Sequence, residues 1–288
     1  MLRILDAISD PGHPDKPNED TFGHGPAHAW VIDGATGVAD DELLDAPSDA
    51  HWLAHTANAY FADHAQHHGA DLAGLAKAAI EDLRGRFETG RRREPNGRYE
   101  LPSAAMTLVH SDGAVLRCAN FADCRLVLLT DDGELEIFGD HHLDREAAAR
   151  RKTSELVAGV APGDDMRSSP EVMRYLRAAR DRQNTDGGYW ILGLDPRAAH
   201  FMRSWEVPLT KPVTGLLMTD GFASLAYDYE RLTPAELTRR ARAEGLAPLV
   251  TEIRKIEREE DPDLRLYPRF KRSDDATAVL FRAGPKPL

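Results

Sequence analysis

Cysteine is nearly missing from this chain: Cys118 and Cys124 are the only two in 288 residues. The sequence around them alternates like one extended strand. Six residues at about 3.3 Å each would hold the two sulfurs ~20 Å apart, beyond disulfide reach. That argues against a disulfide-stapled secreted scaffold and makes a reducing cytoplasm the expected location. Long apolar runs are missing too. No window approaches the ~18 apolar residues of a membrane span, and Met1-Leu2-Arg3-Ile4-Leu5-Asp6 has no apolar signal core, so a soluble protein without a membrane partner is expected. Positive charge is in deficit, with 36 Lys and Arg against 48 Asp and Glu, a net charge of −12. Nucleic-acid binding needs clustered basic side chains, so no nucleic-acid partner is expected. Neither a Walker-type glycine loop nor a Gly-x-Ser-x-Gly elbow occurs, which disfavours nucleotide cradling and serine-nucleophile chemistry.

What the chain does have is acid placed at the ends of short apolar strands. Asn18-Glu19-Asp20 precedes one such segment, and Ala29-Trp30-Val31-Ile32 runs straight into Asp33-Gly34. Met218-Thr219-Asp220-Gly221 closes a third, and Ser273-Asp274-Asp275 opens the last. Most carboxylates in an acidic protein are solvated surface. Carboxylates gathered at the ends of neighbouring strands would repel one another strongly unless a cation sat among them. All-oxygen donors suit a hard divalent ion such as Mg²⁺ or Mn²⁺. Two such ions sharing a carboxylate would acidify a water and orient a phosphate for in-line attack. An EF-hand is excluded at Asp33, because Ala35 stands where a loop oxygen is required.

The rest of the chain supplies a frame for those ends. Hydrophobic content of 42% is ordinary for a globular protein and allows a sizeable core. Pro47 to Thr89 has helical period and reads as two covering helices, capped at Ser48 or Asp49 and interrupted at Gly69 or Gly74. His51 and His55 have i, i+4 spacing there, but without the Glu of a zinc-protease motif they read as surface or interface. Ser103 to His110, Val115 to Ala122, Arg125 to Thr130 and Leu135 to Phe138 read as an antiparallel meander, with hairpin turns at Asp112-Gly113 and Asp132-Gly133. A charged helical stretch over about 140–188 interrupts the strands and is a candidate flap beside a site. Strands are expected again at Tyr189 to Leu192, Phe201 to Pro208 and Val213 to Met218. Helices follow, one capped by Thr233 with Pro234 at its first position. The charged run Arg254 to Asp261 reads as a solvated helix face. Ala276 to Phe281 is the final strand. A single domain over residues 1–288 is expected, and nothing in the sequence speaks to oligomeric state.

Five short motifs, in this order, resemble the protein phosphatase 2C family of metal-dependent serine/threonine phosphatases: Asn18-Glu19-Asp20, Val31-Ile32-Asp33-Gly34-Ala35-Thr36-Gly37, Ala122-Asp123-Cys124-Arg125, Met218-Thr219-Asp220-Gly221-Phe222 and Ser273-Asp274-Asp275-Ala276-Thr277. The resemblance spans about Asp6 to Phe281. It implies an α+β fold, a four-layer α-β-β-α sandwich of two antiparallel sheets flanked by helices. It also implies Mn²⁺- or Mg²⁺-dependent hydrolysis of phosphoserine or phosphothreonine in a protein partner by a metal-bridging water or hydroxide. By motif, Asp33 would bridge two metals and the Gly34 carbonyl would bind one. Asp220 and Asp274 would complete the other shell, Glu19 with Asp20 would serve the first largely through water, and Asp123 would serve a third, weaker site. Asp33, Asp220 and Asp274 are the catalytic core so implied.

The chain also departs from the family pattern. Ala35 stands where many eukaryotic relatives carry a His proposed as general acid. The upstream phosphate-binding Arg has no match, and Lys16 is the nearest cation, able to act as a point charge though not as a fork. Ala122 and Cys124 replace Gly and Ser around Asp123, and Thr36 suggests a divergent bacterial-type branch. Two alternatives stand beside the phosphoprotein phosphatase: a catalytically weak regulatory or binding module of the same fold, and a phosphatase for a small phosphorylated metabolite.

Overall fold

Residues 2–139 and 143–285 are described in a computed structural model. The ten strands are β1 (Leu2–Asp10), β2 (Asp20–His24), β3 (His28–Gly34), β4 (Ala104–Ser111), β5 (Val115–Phe121), β6 (Arg125–Thr130), β7 (Leu135–Phe138), β8 (Arg203–Pro208), β9 (Val213–Met218) and β10 (Ala276–Ala283). They form two five-stranded sheets, ordered β1-β10-β9-β6-β7 and β2-β3-β4-β5-β8. Every strand pair within them is antiparallel. The helices are α1 (Asp49–His68), α2 (Leu72–Gly90), α3 (Leu143–Ala158), α4 (Pro170–Arg180), α5 (Asp220–Tyr227), α6 (Pro234–Glu244) and α7 (Ala247–Lys255).

The strand sequences dictate the layering. Successive side chains of a strand point to opposite faces, and here both faces are apolar. Along β3, Trp30 and Ile32 pack with α1 and α2, whereas Ala29 and Val31 enter the core between the sheets. Along β10, Ala278 and Leu280 join Phe222, Leu237 and Ile253 of α5, α6 and α7, whereas Val279 and Phe281 face the other sheet. The result is the expected four layers: α1 and α2, two sheets, then α5 to α7. Helix ends agree with their sequence signals. The Ser48 hydroxyl caps α1 by accepting from the His51 N–H at 3.0 Å. Gly69 ends the helix with φ of 55°, and Thr233 with Glu236 forms a capping box on α6.

Three expectations change. Tyr189 to Leu192 is not a strand and makes only isolated bridges, Ala104 with Leu192 and Gln183 with Tyr189. Cys118 and Cys124 do not share one strand: the chain turns at Ala122, so Cys118 lies in one sheet and Cys124 leads into the other. Both are free and buried in the inter-sheet core. Third, the run Arg254 to Asp261 is only partly a solvated face: Lys255, Arg258, Glu259 and Glu260 are exposed, but Arg254, Glu257 and Asp261 are buried. The segment expected as a flap holds α3 and α4 joined through a 3-10 turn at Met166–Ser168. Its first residues, 140–142, lie outside the described residues.

Candidate metal centre

Four chain segments deliver carboxylates to one end of the sandwich. β3 ends in Asp33-Gly34, and only glycine fits the second position. A Cβ on Gly34 would lie 2.5 Å from the Glu19 carbonyl oxygen and 2.9 Å from that of Ala50. β9 leads through Thr219 into Asp220, the first residue of α5. Asp274 stands just before β10. Asp123 lies in the crossing from β5 to β6, where Ala122 adopts the left-handed φ of 57°. This is the position where the family pattern carries glycine.

Asp33, Asp123, Asp220 and Asp274 line a single cavity of about 530 Å³. Its other walls come from the inserted segment, with Arg150, Arg167 and Arg180, and from the loop before β10, with Arg269 and Lys271. Lys271 donates from Nζ to Asp274 Oδ1 at 2.7 Å. Burial works against the charge on Lys271, but the Asp274 carboxylate, with Glu19 and Asp33 adding to it, holds the ammonium above the usual lysine range.

The acids are electrostatically uneasy in each other's company. Burial pushes the Asp33 carboxyl well above its usual range, and Asp220, Asp20, Asp274 and Asp123 push it further. Asp220 is raised to about 7, first by burial and then by Asp274 and Asp123. Asp20 is raised by burial and by Asp275, Asp274 and Asp220, against a stabilising hydrogen bond from the Thr219 hydroxyl at 2.7 Å. Among the described residues no three His, Cys, Asp or Glu side chains are already drawn into a metal-holding cluster. The donor set nevertheless fits a divalent cation. It is all oxygen, it surrounds one cavity, and its mutual repulsion is what a cation would relieve.

Not every expected residue reaches the cavity. Glu19 is buried beside it, but its two oxygens accept from the Thr36 hydroxyl and, at 2.6 Å, from the Ser48 hydroxyl. It therefore ties the loop after Asp33 to the start of α1. Asp20 likewise lies behind the cavity wall, bonded to Thr219. Lys16 is exposed on a turn closed by its own N–H to the His13 carbonyl at 3.3 Å and does not line the cavity. The arginines and the lysine that do line it come from the segment expected as a flap beside a site and from the loop before β10, and no local pattern singles out these residues within them.

A supporting layer lies behind these acids. Asp275 accepts from the Gly12 N–H at 2.8 Å and the Glu19 N–H at 2.7 Å, joining the β10 entry to the loop before β2. Arg254 donates to Asp10 Oδ1 at 2.7 Å, to Glu257 Oε2 at 2.8 Å and to the Asp274 carbonyl at 2.7 Å. His51 and His55 are stacked, with ring centroids 3.9 Å apart. A ring nitrogen of each lies within hydrogen-bonding distance of the Asn18 carbonyl, at 2.8 and 3.2 Å. They brace the Glu19-Asp20 corner rather than offer a free ligand pair.

Two antiparallel sheets between helical layers, with acids at one end of the sandwich, define the fold of the bacterial phosphatase 2C type. No protein-family model and no curated protein sequence matches the chain. Solved structures match it over nearly its whole length. The Mycobacterium tuberculosis serine/threonine phosphatase PstP/Ppp is 18% identical over 99% of both chains, with a TM-score of 0.53. The catalytic domain of PstP in complex with 2 manganese ions is 18% identical over 98% of both chains, with a TM-score of 0.55. The S. agalactiae serine/threonine phosphatase is 14% identical over 99% of this chain and 100% of its own, with a TM-score of 0.55. At such identities the likeness establishes the fold.

Proposed function

We propose that this chain is a divergent phosphatase 2C enzyme, a Mn²⁺- or Mg²⁺-dependent phosphomonoesterase acting on phosphoserine or phosphothreonine in proteins. The observation that carries this reading is the convergence of Asp33, Asp123, Asp220 and Asp274 on one cavity walled by arginines and a lysine. Asp33, the Gly34 carbonyl, Asp220 and Asp274 would hold two divalent cations, with Asp123 beside a third, weaker position. Glu19 and Asp20 would support the set from behind. When bound, the cations supply an activated water and neutralise phosphate charge. The phosphate-contacting role that the sequence suggests for Lys16 falls instead to Lys271, which stands in the cavity. Ala35 offers no proton, so protonation of the leaving oxygen falls to water or to another group of the cavity. The fold of the phosphatases named above supports a phosphoprotein substrate. Two free cysteines accord with a reducing cytoplasm.

Hydrolysis of an aryl phosphate, with and without Mn²⁺, tests the reading. Activity should require the metal and fall at least about a hundredfold in Asp33→Asn and Asp220→Asn. Activity that survives chelation, or both substitutions, would sink it. One observation favours a binding module of the same fold: Ala35 stands where the family pattern carries a His, so that position supplies no imidazole. Phosphopeptide binding with no turnover in saturating Mn²⁺ would decide for that alternative. Comparable rates on small phosphate esters and phosphopeptides would count against a protein substrate.

A further inference from the structure

Residues 35–38 follow Asp33-Gly34 and belong to no helix or strand. Their four consecutive carbonyls are nevertheless gripped by three arginines of the inserted segment. Arg180 donates from Nη1 to the Ala35 carbonyl at 3.1 Å and from Nη2 to the Thr36 carbonyl at 3.2 Å. Arg167 donates to the Gly37 carbonyl. Arg177 donates from Nε to the Val38 carbonyl at 2.9 Å and from Nη2 to the Asp40 carboxylate at 2.7 Å. Carbonyls of an irregular loop need donors from somewhere, and here they find them on α4 and the 3-10 turn before it.

The gripped loop is also tied to the acids. The Ala35 N–H donates to the Ser103 carbonyl at 2.9 Å, and the Gly34 N–H to that of Glu19 at 3.0 Å. The Thr36 hydroxyl donates to Glu19, whose other oxygen accepts from Ser48 at the start of α1. Displacing α4 would thus free the carbonyls next to Asp33-Gly34 and loosen the bond to Glu19. Arg180 is the centre of the clamp. Its planar fork spans two carbonyls, and an ammonium on a lysine stem cannot copy that. Removing it would leave partly buried acceptors without donors.

We infer that this arginine clamp couples docking of α4 to the conformation of Asp33-Gly34, so that divalent-cation binding and α4 docking strengthen one another. Arg180 and Arg177 act as positioning residues. The inference rests on the metal-binding reading proposed above. Linkage makes the effect reciprocal: whatever α4 docking contributes to cation affinity, the cation returns to α4 docking.

Calorimetric titration with Mn²⁺ and amide hydrogen exchange across residues 170–180 test it in the full chain. In the wild type, Mn²⁺ should slow exchange in α4. Arg180→Ala and Arg177→Ala should each weaken Mn²⁺ binding, by about fivefold to tenfold, and abolish the Mn²⁺-dependent part of the protection. Arg180→Lys should not restore the affinity. A variant that merely fails to fold is recognised by its metal-free melting curve. Arg177 lies at the far end of the clamp, so its variant keeps the test open should Arg180→Ala not fold. Unchanged Mn²⁺ affinity in the folded variants, or α4 exchange indifferent to Mn²⁺ in the wild type, overturns the coupling alone. A wild type that binds no Mn²⁺ overturns the metal reading and the coupling with it.

Discussion

Asp20 and Asp33 lie directly opposite one another on β2 and β3, a like-charged cross-strand pair at the mouth of the sandwich. Such pairs oppose sheet formation unless something neutralises them. Both carboxyls are raised well above their usual range, by burial first, and Asp220 reaches about 7.

This arrangement has a sign that can be measured. Between the usual carboxylate range, near 3.8, and about 7, the metal-free native state holds protons that the unfolded chain has released. Stability without metal should therefore fall as pH rises from about 4 to 7, by roughly 2 °C of melting temperature per pH unit for each proton retained. Mn²⁺ should remove most of that slope, because it stabilises the ionised form. Melting curves in chelator and in Mn²⁺ across this range would check it, and a metal-free stability that climbs through the window would contradict it. Asp261 and Glu100, whose pKa values are lowered, act in the opposite direction and lose their contribution only as pH falls below the usual carboxylate range.

The Arg254 network gives a second expectation. Glu257 is 2% exposed and shares the buried guanidinium with Asp10 and with the Asp274 carbonyl. Breaking a buried ion pair from one side leaves an uncompensated charge, at a cost of about 3–5 kcal/mol. Arg254→Ala should therefore destabilise the protein by about 3 kcal/mol in urea. Glu257→Gln with Arg254→Met, which removes both charges, should cost less than the single change. A single-variant loss below about 1 kcal/mol would show that water reaches the pair.

Arg254 also shows what the sequence could and could not reveal. The strand-end acids were legible because each stands beside a short apolar run, and Asp33 and Asp220 are also followed directly by a glycine. The sandwich was legible for the same reason: β3, β4, β9 and β10 are apolar on both faces. Arg254 was not, because a charged helical residue reads alike whether it meets water or a partner 244 residues away. The same holds for Arg180, Arg167 and Lys271. Lys16 was chosen by nearness in sequence to Glu19, but its turn directs it to solvent. Tyr189 to Leu192 looked like a strand because its residues are apolar, but Trp190 and Leu192 pack with the core under α1 and α2, and the segment makes bridges instead of a ladder.

Ala122 holds a backbone conformation that an L-residue adopts at a cost of roughly 1–2 kcal/mol, with φ of 57°. Glycine would remove that cost but would lose more freedom on folding. The net expectation is that Ala122→Gly stabilises the chain by about 0.5 kcal/mol, while Ala122→Val, β-branched, destabilises it by more than 1 kcal/mol. Denaturant midpoints of the two variants should move in opposite directions. If both fall, the turn owes its shape to packing of the Ala122 methyl rather than to tolerance of strain.

Lys16 and Lys271 give the sharpest contrast at the site itself. Lys16 is exposed and outside the cavity, whereas Lys271 lines it with its ammonium 2.7 Å from Asp274. An ammonium so placed offsets the acids in the metal-free protein and, under the proposed function, would offer a point charge to an arriving phosphate. Lys271→Ala should therefore lower kcat/KM on a phosphopeptide by about tenfold to a hundredfold, mostly through KM, since a charge contact made before reaction is uniform binding. Lys16→Ala should change it by less than about twofold. The reverse order would return the phosphate contact to the loop before β2 and require that loop to fold over the cavity when substrate binds. Equal, small effects would instead leave the phosphate to the cations.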